Sequence, residues 1–103
     1  MKINNMMKQA QKMQAQMMQI QEQLADERVE GNAGGGMVKA VFTGQGELLA
    51  VKIDPEVIKP DDAEMLEDLV TVAVNDGIHK SKELAESRMG MLSGMLGSLG
   101  LGD

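Results

Sequence analysis

The sequence has no cysteine, tryptophan or tyrosine, and only one phenylalanine and two prolines in 103 residues. Without cysteine there is no disulfide, no thiol nucleophile and no thiolate metal ligand. No apolar run is long enough to cross a membrane and no segment resembles an export signal, so we expect a cytoplasmic protein without membrane contact. Because Phe42 is the only aromatic residue, aliphatic side chains and eleven methionines must fill the core.

The residues that support catalysis or metal binding are also scarce. His79 is the only histidine, so a surface or helix-cap role is expected. The glycine clusters at residues 34–36 and 44–46 lack the flanking residues of a phosphate loop or a dinucleotide fingerprint and are better interpreted as turns. Acids at residues 61–68 suit a helix N-terminus without any ligand. We therefore expect no enzyme, no metal and no cofactor.

The charge is unevenly distributed. The chain has a formal net charge of −6, which argues against a simple nucleic-acid binder. Residues 53–76 carry a net charge of −7, whereas residues 1–21 carry three lysines and no acid. The N-terminal segment is thus a local basic region on an acidic protein.

An apolar stripe of alternating three- and four-residue spacings predicts a first helix over residues 2–25. Its members are Ile3, Met6, Ala10, Met13, Met17, Ile20 and Leu24. Such a helix is roughly 36 Å long, whereas a strand spans about 17–20 Å, so part of the stripe would extend beyond a small sheet. We expect a homodimer, with Met13, Met17 and Ile20 in the interface, because an exposed apolar patch of this size is unusual on a monomer.

The middle of the chain predicts a three-stranded antiparallel meander within residues 27–54. Residues 37–43 and 47–53 alternate between apolar and polar side chains, and Gly44 to Gly46 join them as a tight hairpin. Val38, Ala40 and Phe42 share one face. A first strand near residues 27–32 would pair with the second through the glycine turn. The predicted fold class is α+β, with the sheet flanked by two long helices in the order α-β-β-β-α.

A second long helix is predicted over residues 61–90, beginning at a capping sequence after Pro60 and ending at Gly90. Gly77 lies within it, where glycine costs roughly 1 kcal/mol of helix propensity unless a close contact requires it. Residues 1–90 form a single domain, and residues 91–103 are expected to be a flexible Gly/Met/Leu tail. The apolar or small-residue stripe of the helix is Leu66, Leu69, Val70, Ala73, Gly77, Ser81, Leu84 and Ala85.

The lysines of the first helix have two interpretations: a solvated polar face or a contact with phosphate. Composition alone favours the solvated face. Because the only aromatic residue is expected inside, stacking on single-stranded bases is not available, so nucleic-acid contact would be to a duplex backbone. Candidate DNA-binding residues are Lys2, Lys8, Lys12, Lys80, Lys82 and Arg88.

Five segments together resemble the YbaB/EbfC family of bacterial nucleoid-associated proteins. They are GGGMVK (34–39), GQGE (44–47), VKIDPEV (51–57), EMLEDLV (64–70) and AVND (73–76). The resemblance covers nearly the whole chain. It implies a small homodimer with projecting helices and a tweezers-like shape, and a DNA-binding role in nucleoid organisation and gene expression.

Two other functions compete with DNA binding. A protein interaction module would use the Met-rich helical stripes, with DNA contact weak or incidental. A peripheral membrane helix would use the same face but lacks the Trp or Phe that anchors such helices. A salt-dependent duplex-binding isotherm separates the first function from the other two.

Overall fold

The structure is a computed structural model that describes residues 2–98 and contains two α-helices, two short 3-10 helices and one antiparallel sheet. The elements are α1 (Lys2–Asp26), β1 (Arg28–Ala33), β2 (Val38–Thr43), β3 (Leu48–Ile53) and α2 (Ala63–Ser98). The predicted α-β-β-β-α order and the three-stranded antiparallel sheet are confirmed.

The sheet has the strand order β1-β2-β3, and α2 packs across β1 and β2 on one face. Val38, Ala40 and Phe42 point toward α2 and are buried, as their alternation predicted. The turn between β1 and β2 uses Gly34–Gly36, all with positive φ, a conformation that favours glycine. The core therefore lies between α2 and the first two strands.

The first half of α2 agrees with two features predicted from the sequence, an N-terminal cap after Pro60 and a buried stripe of apolar and small residues. The Asp62 carboxylate accepts a hydrogen bond from the Met65 amide at 3.2 Å, capping the helix. Every member of the predicted stripe from Leu66 to Ala85 is buried or half-buried. At Gly77 the helix touches the Phe42 ring and the backbone of Gly31 so closely that a Cβ atom would lie 2.3 Å from the ring. The close contact that would justify this glycine is present.

The second half of α2 differs from the prediction. The helix continues through Gly90 to Ser98, so the expected stop at Gly90 is wrong. Leu92, only 5% exposed, lies with Arg88 beside Ile20 of α1, and this packing offsets the low helix propensity of glycine. Residues 99–103 of the predicted tail lie outside the described residues.

The two helices form a projecting antiparallel pair, here called the arm: residues 2–24 of α1 and 82–98 of α2. The sheet and residues 63–81 of α2 form the body. The described chain measures 72 × 22 × 15 Å. The arm is joined to the body at Leu24, which is 1% exposed and whose carbonyl accepts a hydrogen bond from the Gly44 amide at 2.8 Å.

Strand β3 is the least covered element of the body. The register pairs Val51 with Ala40 and Ile53 with Val38, so these side chains share the core face. However, α2 lies over β1 and β2, and Leu48, Leu49 and Val51 are 45%, 46% and 38% exposed. Alternation placed Val51 and Ile53 on the core face correctly. Ile53 is half-buried and packs against the core, whereas Leu48, Leu49 and Val51 are not covered by α2 in the described chain.

Candidate nucleic-acid interface

Helix α1 has three differently composed sectors around its axis. Met13, Gln16, Ile20 and Leu24 are buried or half-buried, and this stripe faces α2. At about 100° per residue, Lys8 and Lys12 lie on one side of this stripe, while Met7 and Met18 lie on the other. One helix therefore presents a basic surface and an apolar surface that are separated by about a third of a turn.

Lys8 and Lys12 are exposed and, among the described side chains, form no ion pair. From Lys2 to Gln21 there is no acidic residue, so no acid of α1 lies within two helical turns of either lysine. The side chain of Lys2 lies outside the described part of the chain. A pair of lysines four residues apart on a rigid helix can hold two cationic groups toward a polyanion.

Lys80 is bound to the edge of the sheet. Its ammonium group donates to the Glu30 carbonyl at 3.2 Å and lies 2.9 Å from the Asp76 carboxylate, which also accepts a 2.9 Å hydrogen bond from the Asn32 amide. The Asn32 hydrogen bond, and after it the one from Lys80, lower the pKa of Asp76 below its ordinary value of 3.8. Lys80 thus has a structural role at the edge of β1.

Arg88 is also engaged within the chain. Its guanidinium group forms an ion pair with Glu27 where the arm meets the body, and it lines a groove between the two arm helices. Lys82 is exposed and, in the described structure, forms no ion pair. The structure therefore divides five of the six candidate residues into two groups. Lys8, Lys12 and Lys82 have accessible charges, whereas Lys80 and Arg88 have intramolecular partners.

The three candidate dimer residues also differ in how exposed they are. Met13 and Ile20 are half-buried in the α2-facing stripe, while Met17 is 42% exposed. A second apolar surface, which the sequence analysis did not propose as an interface, is the uncovered part of β3 at Leu48, Leu49 and Val51. Finding it requires knowing which strands α2 covers, which periodicity does not specify.

Two lysines outside the predicted set lie side by side on the sheet. Lys39 of β2 and Lys52 of β3 are direct cross-strand partners. The hairpin turn alone does not predict this pairing, because the register shifts by one residue between Val41 and Phe42. Without that irregularity, Lys39 would be aligned with Val51 and not with Lys52.

The remaining expectations concern metals and membranes. Across residues 2–98, no three Asp, Glu or His side chains are grouped so that they could hold a metal ion. No helix among these residues is both long and apolar enough to span a membrane.

Comparison with known proteins gives a consistent match across the chain. The YbaB/EbfC DNA-binding family matches residues 1–96. Nucleoid-associated protein DP1429 of Desulfotalea psychrophila is 50% identical over 94 residues, covering 91% of this chain and 89% of that protein. Nucleoid-associated protein TTE0040 of Caldanaerobacter subterraneus is 50% identical over 92 residues, covering 89% and 83%.

A solved structure agrees with the sequence matches. The crystal structure of the uncharacterized protein HP0035 from Helicobacter pylori superimposes with a TM-score of 0.74 at 29% identity, covering 93% of this chain and 98% of that one. The family match spans both arm helices and the sheet, as the resemblance in five separate segments suggested. The chain belongs to the YbaB/EbfC DNA-binding family.

Proposed function

We propose that this protein is a nucleoid-associated, homodimeric DNA-binding protein that contacts mainly the phosphate backbone of double-stranded DNA. In this role it organises the nucleoid and influences gene expression in the cytoplasm. The family is a DNA-binding family and not an enzyme family. The relatives' description as nucleoid-associated proteins supports the same assignment.

The observation that carries the backbone mechanism is the accessible lysine pair on the arm. Lys8 and Lys12 are exposed and unpaired among the described side chains, on the longest segment of the chain without an acid. Residues 22–81, which include the whole body, carry thirteen acids and five basic residues. A duplex is repelled by such a body and attracted by the distal half of α1, so contact at the arm is electrostatically favoured.

The single aromatic side chain supports the choice of duplex over single strands. Phe42 is buried under α2, so the protein has no exposed aromatic surface on which bases can stack. Lysines on a helix flank contact phosphates as point charges and carry little sequence information. The proposed binding is therefore salt-sensitive and weakly dependent on sequence.

The test is a double substitution, Lys8→Gln with Lys12→Gln, which removes two charges and preserves helix propensity. If Lys2, Lys8 and Lys12 of both subunits contact DNA, at most six phosphates are neutralised, and log K against log salt has a slope no steeper than about −5. The variant should bind unrelated duplexes more weakly by similar factors, with a shallower slope.

The control is Lys59→Gln, which removes a lysine from the acidic region that follows β3. This variant should leave the duplex affinity and the salt slope unchanged. Unchanged binding in the double variant would remove the arm from the DNA site. A loss confined to one duplex sequence would contradict backbone binding.

Homodimer formation is supported by two uncovered apolar surfaces. One is the Met17 region of α1, and the other is the β3 surface at Leu48, Leu49 and Val51. Sedimentation at micromolar concentration should give the mass of two chains. Met17→Asp and Val51→Asp each place a charge on one surface, so the variant that dissociates identifies the interface, and a single-chain mass for the wild type refutes the dimer.

The alternative function, a protein interaction module, is supported by the methionine sector of α1. Met7 and Met18 are 57% and 59% exposed, and flexible thioether side chains suit adaptable apolar contacts. Met7→Gln with Met18→Gln should leave duplex affinity unchanged if this sector serves a protein partner. A large loss of duplex affinity would place the sector in the DNA site instead.

A further inference from the structure

The face of the sheet opposite α2 carries a row of polar side chains. The register aligns Asn32 of β1 with Lys39 of β2, and Lys39 with Lys52 of β3. Because Val38 and Ala40 point toward α2, Lys39 between them points to the other face. With strands about 4.8 Å apart, the three side chains form a straight row about 10 Å long across the outer face.

Two lysines directly opposite each other destabilise a sheet, because like charges lie within about 5.5 Å at their Cβ atoms. Neither Lys39 nor Lys52 forms an ion pair with any described side chain. The chain has sixteen acidic residues, yet the acid of β1 on this face, Glu30, is aligned with Val41 and not with a lysine. The arrangement concentrates uncompensated positive charge on an otherwise acidic body.

A neighbouring acid, Asp54, forms no ion pair with the two lysines. Asp54 follows β3 and borders the same shallow depression as the two lysines, but its carboxylate accepts a 2.9 Å hydrogen bond from the Glu56 amide. That contact holds the carboxylate in its own turn, where it caps Pro55–Val57. The lysine pair remains without an anionic partner in the described chain.

Protection of the sheet edge against pairing with another strand explains only one of the two lysines. Charged side chains, especially lysine, commonly discourage pairing at an edge strand, which accounts for Lys52 on β3. Lys39 is on the central strand, whose backbone is already paired on both sides. A second lysine at the directly opposite position is therefore unexplained by edge protection and is better explained by an anionic ligand.

We propose that Lys39 and Lys52, with Asn32 beside them, form a second phosphate-contacting surface for duplex DNA, separate from the arm. Duplex DNA carries one charge per about 1.7 Å of its axis, so a segment crossing the row places several phosphates near both ammonium groups. Val41 and Ala50 lie next to the pair on the same face and have short side chains. Lys52 is exposed and Lys39 is half-buried. This proposal rests on the proposed DNA-binding function.

The test is Lys39→Gln with Lys52→Gln in the full-length protein, measured by duplex binding at several salt concentrations and by thermal unfolding. Each lysine lost from a phosphate contact makes the salt slope shallower by about 1, which corresponds to roughly a tenfold loss of affinity per contact at 0.1 M salt. The melting temperature should stay the same or rise, because the repulsion between the two lysines is removed.

Two matched variants separate this proposal from its alternatives. Lys8→Gln with Lys12→Gln removes the same charge from the arm. If only the arm variant weakens binding, the sheet surface is refuted and the proposed function stands; if wild-type protein binds no duplex, the proposed function fails. Lys39→Arg with Lys52→Arg keeps both charges and should retain affinity.

Two further outcomes overturn the proposal. Loss of affinity in the arginine variant would indicate a structural effect in place of phosphate contact. Conversion of the glutamine variant from two chains to one in sedimentation would mean that the lysines bind acids of a second copy.

Discussion

Helix α2 is continuous from Ala63 to Ser98, yet its two halves use glycine in opposite ways. In the body, Gly77 lies against Gly31 and the Phe42 ring, and neither glycine has room for a Cβ atom. In the arm, Gly90 and Gly94 have no non-local atom within 4 Å of a Cβ position. In the body half of α2, glycine is thus required because the backbone of β1 and the Phe42 ring approach closely. In the arm half, no contact within the described chain requires glycine.

The largest expected effect is from Gly31→Ala in the body. Its Cβ atom would lie 2.0 Å from the Ala73 carbonyl oxygen and 2.3 Å from the Gly77 nitrogen, so the backbone of α2 must move away from β1. Overpacking of this kind typically lowers the free energy of unfolding by about 1–3 kcal/mol, and occasionally by more. We expect the upper end of this range for Gly31→Ala, because the new Cβ atom would meet backbone atoms, which move less easily than a side chain. Chemical denaturation measures it, and unchanged stability would contradict the described closeness of α2 and β1.

Gly77→Ala should also destabilise the protein, but by less than Gly31→Ala. Its Cβ atom meets the Phe42 ring at 2.3 Å, and a ring can shift by less costly movements than a helix backbone. Part of the about 1–3 kcal/mol overpacking cost is offset by the roughly 1 kcal/mol gain in helix propensity. A variant more stable than wild type in chemical denaturation would show that the Phe42 ring has free space to occupy.

Gly90→Ala in the arm should increase the stability of the protein, in contrast to the two substitutions in the body. The substitution removes backbone freedom from the unfolded chain and meets no non-local atom, so it should stabilise the protein by about 0.5–1 kcal/mol. Thermal unfolding at fixed protein concentration measures it. Destabilisation, accompanied by a lower dimer fraction in sedimentation, would indicate that a second copy packs against Gly90.

The smallest effect is expected at the edge of the body, from Asp76→Asn. The folded-state pKa of Asp76 is below 3.8, so ionised Asp76 stabilises the fold above that pH, and this stabilisation is lost as the pH falls through the folded-state value. The variant should be less stable at neutral pH, and the difference should disappear well below pH 3.8. A difference that persists in strong acid would assign the effect to packing and not to charge.

Local patterns predicted most of the secondary structure because short-range sterics and periodic burial determine it. The three-four spacing of α1, the alternation around Phe42 and the stripe from Leu66 to Ala85 all correspond to observed elements. The stop at Gly90 was wrong because packing of Leu92 against α1 outweighs local propensity. The candidate DNA-binding and dimer residues remain predictions.

The sequence by itself determined the family, the order of the elements, the apolar faces of both helices and of β2, and the separation of a basic N-terminal helix from an acidic middle. Only the tertiary structure decided which charges stay accessible. Lys80 and Arg88 are engaged by Asp76 and Glu27, whereas Lys8 and Lys12 are not. It also decided that α2 covers β1 and β2 but leaves β3 open. The physical reason is that ion pairs and burial depend on residues far apart in the chain, which local periodicity does not encode.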